Sequence, residues 1–93
     1  MEFVWDDTPV LPKDLLKREV EESFEDPFSI RMLPDFERGV RESRFFNLGR
    51  TVANKCVFSV FWTDGKRYRV IAAREATELE AGFYDRKNAE NAN

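Results

Sequence analysis

Residues 55–73 decide the fold and read KCVFSVFWTDGKRYRVIAA. Two runs rich in β-branched and aromatic residues flank the pair Asp64-Gly65, which tolerates the positive φ angles of a two-residue type I′ turn. The pattern predicts a β-hairpin with strands over 55–63 and 66–73. Both faces of this hairpin are apolar at the centre, so we expect it to lie inside a sheet rather than at an edge.

The predicted turn also determines which side chains share a face. It places Trp62 opposite Arg67, and directly paired residues lie on the same face of a sheet. One face is then expected to carry Cys56, Phe58, Val60, Trp62, Arg67, Arg69 and Ile71, and the other Val57, Ser59, Phe61, Tyr68, Val70 and Ala72.

Weaker patterns predict the remaining elements. They are a strand over 2–5, a helix over 12–24, strands over 28–33 and 44–48 (the last ended by Gly49), a loop over 35–43, and a final helix. The segment Thr77-Glu78-Leu79-Glu80 fits a capping box that begins this helix, which we expect to end at 86–87 and to leave 88–93 frayed. Leu79 and Phe83 should face the sheet.

The element order predicts one domain over 1–93. Its class is α+β, with a small, mainly antiparallel sheet, an N-terminal helical region and a C-terminal helix. No apolar run approaches the roughly 18 residues of a membrane span, and the N-terminus lacks the pattern of a secretory signal. We therefore expect a cytoplasmic protein without a membrane partner.

Composition limits the chemistry. The chain of 93 residues has no histidine and a single cysteine, Cys56. Without histidine, the commonest general base and the commonest metal ligand are missing. One cysteine forms neither an intramolecular disulfide nor a cysteine-based metal cluster. We expect no metal and no small-molecule cofactor.

Charge is segregated along the chain. The net charge is −7 over residues 1–37, +7 over 38–74 and −3 over 75–93. The central block interleaves arginines with aromatic residues, a pattern typical of surfaces that bind a polyanion. The alternative is that acidic and basic segments pack together and neutralise each other in the fold.

Two arginines stand out as candidates for a site. Arg69 interrupts an apolar strand, and Arg74 lies where that strand ends. A partly buried guanidinium requires an anion, which is either an internal carboxylate, with Glu80 as the candidate, or a ligand phosphate. Tyr84 follows Glu80 by one helical turn and either exchanges a proton near that phosphate or simply packs.

Five segments together share the spacing of a known family. They are Phe3-Val4-Trp5-Asp6, Phe24-Glu25-Asp26-Pro27, Glu42-Ser43-Arg44-Phe45, Leu48-Gly49-Arg50, and Arg69-Val70-Ile71-Ala72-Ala73-Arg74-Glu75-Ala76-Thr77 followed by Glu80 and Tyr84. In these segments the chain resembles the BrnT family, the toxin half of bacterial BrnT–BrnA toxin–antitoxin modules. The last segment is the most specific, because it matches many positions in one register.

The resemblance implies a RelE-like fold and a metal-independent endoribonuclease that cleaves RNA, inhibits translation and is neutralised by a co-encoded BrnA-like antitoxin. In such chemistry the 2′-OH of the substrate attacks the adjacent phosphate, and arginines stabilise the developing charge. The catalytic residues implied are Arg69, Arg74 and Arg44 as cations around the phosphate, and Tyr84 or Glu80 as the proton acceptor or the group that orients the substrate. The residues assigned to RNA binding are Arg50, Arg67, Trp62 and Lys66, with Trp62 beside Arg67 as a stacking platform or as ordinary packing.

The chain departs from the family pattern at two places. The usual Lys-His-Gly segment is replaced by Lys17-Arg18-Glu19-Val20, and Ala72 stands where the family often has serine. The alternative function is therefore a catalytically inactive BrnT-like domain that acts by binding the antitoxin or RNA only.

Overall fold

The predicted hairpin lies at the centre of a five-stranded sheet. The computed structural model describes residues 1–5, 10–32 and 44–91. Its elements are β1 (Glu2–Val4), α1 (Lys17–Glu25), β2 (Ile30–Met32), β3 (Phe45–Arg50), β4 (Cys56–Thr63), β5 (Arg67–Glu75) and α2 (Glu78–Asn91). The predicted loop over 35–43 lies outside the described residues.

The strand order is β1-β5-β4-β3-β2. The first strand pairs parallel with β5, and the other three pairings are antiparallel. The predicted α+β class is confirmed: the described chain is a small α+β fold with two helices and a mixed, mainly antiparallel sheet.

The predicted turn register is wrong by two residues. Trp62 lies opposite Arg69, not Arg67. The side chain of Asp64 accepts the backbone N–H groups of Lys66 and Arg67 at 2.9 and 2.8 Å, and the Thr63 hydroxyl donates to the Arg67 carbonyl at 2.8 Å. These bonds satisfy the backbone of a wider loop, which therefore replaces the two-residue turn.

A β-bulge corrects the predicted faces as well. The register shifts between Val60 and Phe61, so that Val60 pairs with Ala72 whereas Phe61 pairs with Val70, and Ile71 is the extra residue on β5. The segment before α1 covers this bulge, because Val10 donates to the Ile71 carbonyl and accepts from Ala73, both at 3.1 Å. Beyond the bulge, the side chains of β5 exchange faces relative to the prediction.

Helix α1 begins later than predicted and lies close to β3. Leu16 is extended (φ −90°, ψ 150°), and its N–H is accepted by the Glu19 side chain at 2.9 Å, so the helix begins at Lys17 instead of residue 12. Gly49 does not end β3 as predicted. It lies directly under the helix, where a Cβ atom at this position would meet the Ser23 carbonyl oxygen at 2.0 Å.

The two faces of the sheet differ in how they are covered. We call the face under α1 the α1 face. It carries the main core, formed by Leu15, Val20, Phe24, Val57, Phe61, Val70 and Ala73, all buried. We call the other the open face. It carries Phe58, Val60 and Trp62 from β4 and their β5 partners Arg74, Ala72 and Arg69, and all six are half-buried or exposed.

Helix α2 covers one end of the open face. Its Tyr84 is buried with Leu48 and Cys56, and Phe83 packs beside them. Leu79 was predicted to face the sheet together with Phe83, but it is 84% exposed. The helix continues to Asn91, past the predicted end at 86–87, and Asn88 joins it to the chain before β2 by donating to the carbonyls of Tyr84 and Phe28 at 2.9 and 3.2 Å.

Candidate functional site

The bulge places Arg69 and Arg74 on the same face of the sheet. In a regular strand, residues five positions apart point to opposite faces. Because one extra residue lies between them, Arg69 pairs with Trp62 and Arg74 with Phe58, two residues on the open face. Each guanidinium lies over the ring of its partner, at 5.9 Å for Arg69 and 4.6 Å for Arg74.

Arg74 is bound to the carboxylate of Glu80. Its two terminal nitrogens contact the two carboxylate oxygens at 2.7 and 2.9 Å, a bidentate geometry. The same carboxylate accepts the Thr77 N–H at 2.9 Å, while the Thr77 hydroxyl accepts the Glu80 N–H at 3.2 Å. This confirms the predicted capping box, which fixes Glu80 beside Arg74 at the start of α2.

Trp62 and Arg69 line a small polar hollow near β1. Its volume is about 190 Å³, and it is completed by Val4, Asp64 and Arg67. Arg67 also forms an exposed ion pair with Glu2 at 3.8 Å. Arg67, Arg69 and Trp62, three of the predicted residues, therefore lie together, and Lys66 is exposed in the adjoining loop.

Tyr84 and Arg50 belong to a different cluster, centred on Asp26. The Tyr84 hydroxyl donates to one Asp26 oxygen at 2.5 Å, and the same oxygen accepts the backbone N–H of Arg50 at 2.8 Å. The Arg50 guanidinium lies 5.3 Å from the centre of the Tyr84 ring and pairs with Asp85 at 3.3 Å. Neither hollow that Arg69 or Arg74 lines includes Tyr84.

The two predicted proton-transfer groups are both held in one protonation state near neutral pH. The hydrogen bonds from Arg74 lower the pKa of Glu80 to about 2. Burial, followed by the hydrogen bond to Asp26, raises the pKa of Tyr84 well above its ordinary value. Neither group exchanges a proton readily at pH 7 in this arrangement, because efficient proton transfer requires a pKa near the working pH.

Arg44, the remaining candidate, and Cys56, the single cysteine, lie outside the contacts described above for Arg69 and Arg74. Arg44 is exposed just before β3, and the preceding motif residues, Glu42 and Ser43, lie outside the described residues. Cys56 is buried, as the apolar strand predicts, and burial raises the pKa of its thiol, which makes the sulfur less reactive.

Two apolar hollows flank Phe58 on the open face. One, of about 370 Å³, is lined by residues that include Val10, Val60 and Arg74. The other, of about 410 Å³, is lined by residues that include Phe46, Phe83 and Glu80. Neither hollow was predicted from the sequence, although Phe46, Phe58 and Val60 are apolar side chains on the face of the sheet that α1 does not cover.

No protein-family model and no curated protein matches the sequence. Among the described residues, neither helix combines the length and the apolar character that crossing a lipid bilayer demands.

Proposed function

We propose that the protein is a BrnT-type toxin, an endoribonuclease that cleaves RNA without a metal and inhibits translation. One observation supports this proposal most: the β5 bulge brings Arg69 and Arg74 to the same open face, each over an aromatic ring. Arginines stacked on rings suit phosphate and base contacts together, because the guanidinium binds oxygens in its plane and leaves its face to the ring.

The proposed reaction needs charge stabilisation above all. The 2′-hydroxyl of the substrate gives up its proton to water as its oxygen attacks the adjacent phosphorus. The bond from phosphorus to the 5′-oxygen breaks, and this oxygen takes a proton from water, so the products are a 2′,3′-cyclic phosphate and a 5′-hydroxyl. One of the two arginines, Arg69 or Arg74, would stabilise the charge that builds on the oxygens of the reacting phosphate, and the other would hold a phosphate further along the strand. Arg67 and Lys66 would hold the neighbouring backbone by charge alone.

A BrnA-like antitoxin is the proposed protein partner. Leu79 beside one apolar hollow and Val10 beside the other are large apolar residues, 84% and 73% exposed. A bound partner that covered them would also block the open face, which would account for neutralisation.

The second candidate function is binding without cleavage. It is favoured by the state of the two predicted proton-transfer groups: Glu80 is ion-paired with Arg74, and Tyr84 donates to Asp26. With both engaged, neither of the two predicted groups is available as a base for the 2′-OH, whereas the arginines remain as cations for a phosphate.

An RNA cleavage assay with the purified chain in the presence of EDTA distinguishes the two functions. We expect cleavage to products that end in a cyclic phosphate, and a loss of about 100-fold on Arg69→Ala or Arg74→Ala, as when one transition-state donor is removed. Arg18→Ala is the control, since Arg18 is an exposed cation on α1. RNA binding with no cleavage by the wild type would establish the second function.

A further inference from the structure

The open face carries two cation–aromatic pairs at a fixed separation. Arg74 lies over Phe58 and Arg69 over Trp62. Phe58 and Trp62 are four residues apart on β4, which corresponds to about 13 Å along the strand. An extended single strand of RNA spans such a distance with about two nucleotides.

The surface between and beside these pairs is apolar. Val60 and its partner Ala72 separate them, and the two hollows open on either side of Phe58. Phe46 stacks on Phe58 with ring centroids 5.7 Å apart, which widens this aromatic surface. Such hollows suit flat, unstacked bases, whereas the bases of a duplex are stacked inside it and cannot enter.

A carboxylate already occupies the phosphate position on Arg74. Glu80 presents two oxygens to the two terminal nitrogens of Arg74, as a phosphate would. Its side chain is 26% exposed and lines the hollow beside Phe58, so a ligand can reach it. The pair still leaves the Arg74 side chain 46% exposed.

We propose that the open face binds single-stranded RNA, with phosphates about two nucleotides apart at Arg69 and Arg74 and bases in the hollows beside Phe58. Glu80 occupies the phosphate position on Arg74 in the free protein and is displaced when RNA binds. This inference rests on the proposed function, because it names the form of RNA that the same surface accepts.

The test measures binding separately from cleavage. Fluorescence anisotropy of the full chain with labelled 2′-O-methyl oligouridylates of two, three, four and six nucleotides excludes cutting, because the attacking hydroxyl is blocked. The affinity for a labelled 12-base-pair duplex of 2′-O-methyl RNA is measured in the same way for comparison. We expect affinity to rise steeply up to three or four nucleotides and only slightly beyond, and the duplex to bind at least about 10-fold more weakly.

Glu80→Gln is the decisive variant. Glutamine keeps the oxygen that caps α2 but loses the charge that competes with phosphate. We expect the six-nucleotide strand to bind about 5- to 10-fold more tightly at low salt. The slope of log K against log salt should change little, because Arg74 contacts one phosphate in both proteins. The matched control is Glu78→Gln, which removes one negative charge from the same helical turn at an exposed position. In the Arg74→Ala background, Glu80→Gln should change the affinity for the six-nucleotide strand no more than Glu78→Gln does.

The outcomes separate this inference from the proposed function. If the wild type cleaves RNA but Glu80→Gln behaves like Glu78→Gln, or the duplex binds as well as the single strand, this inference is overturned and the proposed function stands. If neither single strand nor duplex binds at low salt and no RNA is cut, both are overturned. If a peptide from the antitoxin occupies the hollows and RNA does not compete with it, the surface is a protein-binding site and this inference is wrong.

Discussion

The same strands form two faces with opposite properties. On β4, Phe61 points to the α1 face and is 1% exposed, whereas Phe58 points to the open face and is only half-buried between two hollows. The α1 face is closed by a helix that packs against β3 and β4. The open face keeps its arginines and rings accessible. We infer that one face holds the fold together and leaves the other available for binding.

The sharpest test of this division compares two phenylalanines on one strand. Phe61→Ala removes a buried ring that contacts Phe24 and Phe45, and it should lower the free energy of unfolding by about 3–5 kcal/mol. Phe58→Ala should cost roughly half as much, since part of its ring is already in contact with water. Urea denaturation followed by circular dichroism measures both, and equal losses would contradict the distinction between the faces.

The close approach of α1 to the sheet gives the next largest effect. Gly49→Ala places a Cβ atom 2.0 Å from the Ser23 carbonyl oxygen, so α1 must shift. We expect a loss of about 3 kcal/mol in unfolding free energy. Gly82→Ala is the matched control: its added Cβ meets only the flexible end of Arg86, and an alanine in the middle of α2 should stabilise the protein by about 0.5–1 kcal/mol. A neutral Gly49→Ala variant would refute the tight contact.

The smallest expected effect concerns the anchor of α2. Tyr84→Phe removes the hydroxyl that donates to Asp26 and should cost about 1 kcal/mol at pH 7. Because the pKa of Tyr84 is raised in the folded state, the unfolded chain loses this proton first, and wild-type stability falls as pH rises above about 10. The unfolding free energy of the Tyr84→Phe variant should fall less with rising pH than that of the wild type, as measured by urea titrations between pH 8 and pH 11. If both proteins lose stability equally with pH, the pKa of Tyr84 is not raised by folding.

Local signals predicted the elements well but not their exact pairing. The capping box of Thr77 and Glu80 spans four residues, and the hairpin is encoded by adjacent strands, so both could be predicted from sequence. The bulge at Ile71 could not, because it is completed by two hydrogen bonds with Val10, some sixty residues earlier: Val10 donates to Ile71 and accepts from Ala73. Without the bulge, Arg69 and Arg74 would be assigned to opposite faces.

The separation of Tyr84 from Arg69 and Arg74 could not be predicted from the sequence either. Tyr84 and Asp26 are 58 positions apart, and their hydrogen bond forms only after α2 has packed on the end of the sheet. Helical spacing correctly placed Tyr84 one turn after Glu80. It did not show that the hydroxyl of Tyr84 would donate to the carboxylate of Asp26, at the end of α1.

The parallel pairing of β1 with β5 has a consequence for synthesis. Glu2, Phe3 and Val4 find their backbone partners at Arg67, Tyr68 and Arg69, and Val10 finds its partners further along the same strand. The antiparallel pairs among β2, β3 and β4 can form while the chain is still emerging, since their contacts are closer in sequence. Strand β1 and Val10, by contrast, lack these backbone partners until β5 has left the ribosome. We therefore expect β1 to be open to proteases and chaperones until that late step, which then pairs β1 with the edge of β5.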